Sequence, residues 1–454
     1  MELGSWALIS APSILGLLPL IVFIVLALRG VENLSALIIS VALGAILLGW
    51  DPGMLAQAFE SSLNSSPVLI ALIMMLGAGI GALMSETKVS NVLVYFIVDR
   101  IGVNTRTKAK ISLCACSILV SGLLGTSSGG NAVIAPIMLP IMGTLGVTPT
   151  VVTALFKAAG EIGLILGPIT GVTLMTLEVT GLSYGTYMLQ AGIPFAAVWL
   201  IGTWVGCIRA QKRTEGYEHY EISGDLKNLS RESISPKQVR ATIAFLLLFV
   251  ILIAYGIITK QGSNYVLIVM VLLAAVLAIF SGTKLETAVS CVVNGARKQT
   301  HVLFISLCIN VLLMQVTAAG GFEAFTSLIE GLATSGGPAG VMLIASLVGG
   351  FGIESSVIAE IQLIASMFGG MAAEVGLPAG CMALVLLAAT RLTGNTYPTT
   401  NFVVQMGIGQ CSNTKEVLQA LWFGVGFLVV YLVIMAFVGP IIFETLPLHH
   451  LLTS

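Results

Sequence analysis

Apolar residues in this chain gather into long runs separated by short polar segments. A run of roughly 17 to 25 apolar residues, wound as α-helix, matches the hydrocarbon core of a bilayer. The pattern predicts such spans at 11–28, 34–50, 67–84, 150–175, 187–208, 241–259, 265–281, 302–318, 378–403 and 417–443. The stretches between them, including 51–66, 85–110 and 282–301, have no run of that length and read as loops. Two further apolar stretches, 111–148 and 341–374, are interrupted by small polar residues, GTSSGGN at 125–131 and GFGIESS at 350–356. Each of their arms is about 15 residues, roughly 22 Å of helix against a core of about 30 Å. Arms that short predict re-entrant hairpins with tips inside the membrane. Two spans are themselves broken, at LGPITG (166–171) and GNTYPTTN (394–401). Pro168 and Pro398 supply no backbone N–H and open their helices there.

The order of elements repeats. Residues 1–208 and 241–454 each hold three spans, a hairpin, a broken span and a final span. Ser127-Ser128 matches Ser355-Ser356, Gly146 matches Gly376, Pro149 matches Pro378, Pro168 matches Pro398, Thr170 matches Thr400, and Leu189-Gln190-Ala191 matches Leu418-Gln419-Ala420. All fall at an offset of 228 to 230. The polar stretch 209–240 between the halves reads as a solvated linker.

Charge fixes the expected sidedness. With both hairpins re-entrant, the termini lie outside, and every Lys and Arg except Lys157, Lys260 and Arg391 falls inside. That is the bias expected of a cytoplasmic membrane protein, and it gives the two halves opposite topology. The expected fold is therefore an all-α, multi-pass membrane protein built from two inverted repeats. Composition agrees: 57% of residues are hydrophobic and 9% charged, where a soluble domain carries about a quarter charged. Twenty basic residues against 21 acids leave no surplus for nucleic acid. Seven cysteines without a CxxC pair argue against a metal or disulfide framework. No HExxH motif or Cys/His cluster supports a membrane-embedded enzyme, and no cofactor is expected.

In inverted-repeat carriers the interrupted helices meet at the midplane and form the binding site. Two tips and two breaks should converge here. They present Ser127, Ser128, Asn131, Thr170, Asn395, Thr396, Thr399, Thr400 and Asn401 as candidate substrate contacts. Free N–H groups at helix starts suit a carboxylate, and carbonyls at helix ends suit a cation. For any single Ser or Thr, helix packing is the alternative. Ionisable groups inside the spans cost at least about 2.5 kcal/mol each, which makes a function the default. Glu354, at a tip, is the leading candidate for cation coupling, followed by Glu360 and Glu161. Lys157, four residues before Glu161, is a possible counter-ion. Arg391 is the candidate partner of an anionic substrate, or else pairs with Glu354 or Glu360.

The stretch SSGGNAVIAPIMLPIMGTLGVTPTVVTALFKAAGEIGLILGPITGVTL (127–174), with FEAFTSLIEGLATSGGPAG (322–340), resembles the ion transporter superfamily. The anaerobic C4-dicarboxylate (DcuC-like) and NhaC-related carriers are the nearest in pattern. The resemblance implies an elevator-type carrier, often a homodimer, moving small organic anions with Na⁺ or H⁺. A Na⁺/H⁺ antiporter without organic substrate, or an amino-acid carrier, are the alternatives. The GDxxSP-type motif of the NhaC-like antiporters is replaced by GEIGLILGPITG (160–171).

Overall fold

The computed structural model describes residues 2–220, 234–259, 261–351 and 356–445, and its regular elements there are all helical. The first half runs α1 (Leu18–Leu28), α2 (Asn33–Leu48), α3 (Pro52–Leu63), α4 (Ser66–Glu86), α5 (Val89–Ile101), α6 (Arg106–Leu124), α7 (Ser127–Thr144), α8 (Pro149–Leu166), α9 (Gly171–Thr180), α10 (Tyr184–Tyr187) and α11 (Ile193–Thr214). The second runs α12 (Pro236–Ile258), α13 (Ser263–Ser281), α14 (Leu285–Arg297), α15 (Thr300–Ala318), α16 (Gly321–Gly350), α17 (Val357–Glu374), α18 (Ala379–Arg391), α19 (Thr400–Ile408) and α20 (Thr414–Thr445). Among the described residues, nine helical stretches are long and apolar enough to cross a membrane. Several expose apolar faces: Ile243, Leu247, Val250 and Ile251 of α12 are all more than half exposed. Water would not tolerate such a face, whereas lipid does.

The hairpin stretches fold as helix pairs, α6 against α7 and α16 against α17. At the first tip Gly125 takes φ 67°, the left-handed value that ends α6, and Thr126 starts α7. The arms are longer than the sequence implied: α6 has 19 residues, about 28 Å of helix. Its length alone does not keep it from crossing. In α16 the chain kinks at Gly337 (φ 55°) just before Pro338, so the arm leading to the second tip begins there.

The stretches 51–66, 85–110 and 282–301 are not simple loops, because they carry α3, α5 and α14. These have 12 or 13 residues and bury one face only, which a search for long apolar runs overlooks. Gly295 of α14 sits where a Cβ would lie 2.5 Å from the Ala78 carbonyl oxygen and 2.7 Å from Gly79 Cα, so α14 lies flush on α4.

The linker also needs correction at both ends. α11 continues to Thr214 and α12 begins at Pro236, capped by Ser235 and Gln238. Residues 215–220 are bound to the body of the molecule. Glu218 accepts from the Thr150 backbone N–H at 3.0 Å and from its hydroxyl at 2.8 Å, capping α8. Asn413 Nδ2 donates to the same carboxylate at 2.9 Å. Tyr220 donates its hydroxyl to the Gly409 carbonyl at the end of α19, at 2.8 Å. Burial pushes that phenol's pKa up and keeps it a donor.

Two clusters of buried apolar side chains form the core. The smaller joins α1, α2 and α15, and the larger takes in most of the remaining helices. α8 is buried from Pro149 through Gly163, and α18 from Gly380 through Arg391. A helix covered on all sides lies at the centre. The two broken spans are the centre of this molecule.

Candidate functional site

α8 and α18 bring their charged residues together. Lys157 Nζ donates to Glu161 Oε1 at 2.5 Å, one turn apart on α8. Arg391 Nη1, at the end of α18, lies 3.8 Å from the same oxygen. Asn395 Nδ2 donates to Glu161 Oε2 at 3.0 Å and to the Arg391 carbonyl at 2.7 Å. Lys157, Glu161, Arg391 and Asn395 are at most 3% exposed. One carboxylate thus faces two cations. Arg391 Nε and Nη2, the two nitrogens that make the side-on fork of a guanidinium, have no partner, nor does Asn395 Oδ1.

Around this cluster four helices begin in the same way. Thr126, Thr170, Ser356 and Thr399 cap α7, α9, α17 and α19 by accepting N–H bonds from Gly129, Thr173, Ala359 and Phe402. Their first turns carry further N–H groups and the positive end of the helix dipole. α7 and α19 are joined at their starts by Ser128 Oγ donating to Asn401 Oδ1 at 3.0 Å. Asn131 Nδ2 donates to the Gln405 Oε1 and Phe156 carbonyl oxygens, both at 2.8 Å, and its Oδ1 accepts from Ser117 at 2.6 Å. α9 packs against α17.

Of the residues expected at the tips and breaks, Ser128, Asn131, Asn395 and Asn401 make the bonds between helices just described. Ser127 is buried against Gly160, and Thr400 is exposed in the first turn of α19. Thr396 donates to the carbonyl of Thr393 at 2.9 Å within its own turn. Thr170 donates to the Leu164 carbonyl as well as capping α9. The carbonyls that end α8 are already taken: Ile165 accepts from Thr173 and Tyr187, each at 2.9 Å, and Leu166 from Tyr184 at 2.6 Å. Glu360 is buried in the first turn of α17. Glu354 lies outside the described residues. Arg391 pairs with Glu161, which the sequence had placed beside Lys157 alone.

Ser117, Gln405, Tyr184 and Tyr187 were not singled out from the sequence. Each is a polar group within or beside an apolar run, and Gln405 follows Asn401 by one turn. A cavity of about 700 Å³ lies between α9–α10 and the α12–α13 turn, with Pro168 among its lining residues.

The model of the tripartite ATP-independent periplasmic transporter, DctM component, matches residues 20–441. The chain also superposes on the solved structure of Neisseria gonorrhoeae MtrF, described as one of a class of antimetabolite efflux pumps. The TM-score is 0.54 at 15% identity, covering 96% of each chain. That likeness is one of fold. No curated protein matches the chain.

Proposed function

The chain belongs to the DctM family of tripartite ATP-independent periplasmic transporters, and from that premise we propose that it moves a small carboxylate or dicarboxylate coupled to Na⁺ or H⁺. It is a multi-pass membrane component of a secondary transporter and not an enzyme. The family works with two further components, DctP and DctQ. The expected lineage is corrected accordingly: the family is a secondary-transporter family, but not the DcuC-like or NhaC-like one. A second copy of the chain, expected from that resemblance, is not needed for this reading.

One observation carries the proposal. A guanidinium at 3% exposure keeps its two-pronged edge unpartnered while its third nitrogen stands off from a carboxylate already held by Lys157 and Asn395. Two parallel N–H bonds to a carboxylate fit that edge, and a lysine cannot reproduce them. The trio holds two cations to one anion, so an incoming carboxylate restores neutrality. Ser128, Asn401 and the helix starts at Thr126 and Thr399 supply further donors for a second anionic group. The recurrence of span, short helix, hairpin and broken helix in both halves supports the inverted-repeat reading, and with it movement of the site across the membrane as in an elevator.

Calorimetric titration of the purified chain with mono- and dicarboxylates, with and without Na⁺ and across pH, tests this. Binding of a carboxylate that strengthens with Na⁺ or protons is the expected result. Na⁺ or proton exchange in proteoliposomes with no carboxylate binding would instead establish the plain antiporter.

A further inference from the structure

α7 contains proline at 136 and again at 140. Neither ring carries an N–H, so the carbonyls of Ala132 and Pro136 have no donor four residues on. Ser128, Ala132 and Pro136 follow each other at four-residue steps along one stripe, with Ala132 and Pro136 exposed. The Ser128–Asn401 and Asn131–Gln405 bonds set α7 and α19 side by side and parallel, so this stripe runs beside α19. α19 has an exposed stripe of its own at Thr400, Val403, Val404 and Gly407. Tyr397 and Pro398, just before it, are exposed as well.

The length of α19 sets the depth of this surface. α19 has nine residues, about 13 Å of helix, so Thr400 is well inside the slab when Gly409 sits at its edge. The carbonyls freed by proline and the first-turn N–H groups of α19 cannot be satisfied by lipid. Backbone of that kind is tolerated only in protein or against water. The end where the two helices finish carries two arginines: Arg106 donates to the Leu145 carbonyl at 2.9 Å, and Arg213 pairs with Glu416 at 2.7 Å. That marks it as cytoplasmic.

We infer that the exposed face of α7 and α19 is a water-filled path between the cytoplasm and the Ser128–Asn401 tip, along which the carboxylate travels. This rests on the carrier reading above, yet it is tested without any substrate. Single cysteines at Ala132, Val403 and Gly407 are compared with cysteines at Ile243 and Val250 on the apolar face of α12, in lipid nanodiscs, with the companion components present and absent. The probes are a charged methanethiosulfonate, which needs water, and N-ethylmaleimide, which enters lipid. A Cβ at Gly407 meets nothing within 4 Å, and Ala132 and Val403 are exposed, so each variant reads out independently should one fail to fold.

The charged reagent should label the α7 and α19 positions at least about tenfold faster than the α12 positions, while the maleimide labels both sets. Equal resistance of the two sets to the charged reagent would overturn the path. Labelling abolished by the companion components would overturn it too, by showing a protein interface instead. No carboxylate binding in the titration, with the labelling pattern intact, would overturn the carrier reading and the carboxylate's use of the path, leaving only a water-exposed face.

Discussion

Arg391 and Glu161 show how much a single buried contact can decide. Arg391→Lys keeps the charge but not the fork. Its carboxylate affinity should fall by roughly tenfold or more, equivalent to about 1.4 kcal/mol, as measured by titration of the folded variant. Unchanged affinity in a monodisperse Arg391→Ala protein would remove the residue from the site. Glu161→Gln should act differently, since it strands two buried cations. Breaking a buried pair costs about 3–5 kcal/mol, so its thermal midpoint should drop sharply, and adding Lys157→Met should recover part of it. A Glu161→Gln protein as stable as the parent would mean that the trio is not a structural unit. At this scale the sequence was informative about which residues gather and poor about their pairing. Lys157 with Glu161 followed from helix spacing. Arg391 with Glu161 joins residues 230 apart on two different helices, and no local pattern reports such a contact.

Helices long enough to cross were legible because lipid imposes a single requirement, a sustained apolar run. α3, α5 and α14 were not, since a short helix that buries one face satisfies no such requirement. Breaks and tips were also legible, because Pro168, Pro398 and Gly125 act through their own backbones. Contacts between helices were less so. α11 and α20 approach until a Cβ at Gly206 would stand 2.0 Å from the Ala420 carbonyl oxygen, and one at Gly202 2.8 Å from Gly424 Cα. Only glycine permits that approach. Gly206→Leu must push the helices apart, and overpacking of this kind costs about 1–3 kcal/mol. Lower yield and a reduced melting temperature in detergent are expected, while Gly407→Leu, with open space around it, should melt like the parent.

For the whole molecule, sidedness can be read from two exposed glycines. Gly216 and Gly336 both face open space and should accept cysteine. An impermeant thiol reagent applied to intact cells should modify Gly336→Cys and leave Gly216→Cys untouched until the membrane is opened. Labelling of Gly216→Cys from outside would invert the proposed topology. Residues 215–220 tie the start of α8 in one half to the end of α19 in the other, through Glu218 and Tyr220. Glu218→Ala removes a helix cap, costs about 1 kcal/mol, and should loosen both ends together in hydrogen exchange. Exchange that quickens only near Thr150 would show the two ends to be independent. None of this was visible while 209–240 read as a polar connector, because a capping carboxylate and a solvated one look alike in sequence.

The Lys157, Glu161 and Arg391 trio has an electrical consequence. Two cations against one carboxylate leave one elementary charge on a site that, in an elevator, crosses with the protein. The empty carrier then returns as a current, and a membrane potential of 100 mV changes that step by about 2.3 kcal/mol per charge. A bound monocarboxylate cancels the charge, so the loaded step falls silent apart from any coupling cation. Solid-supported-membrane recordings should therefore show a voltage-sensitive return in the parent, and none in an Arg391→Gln variant.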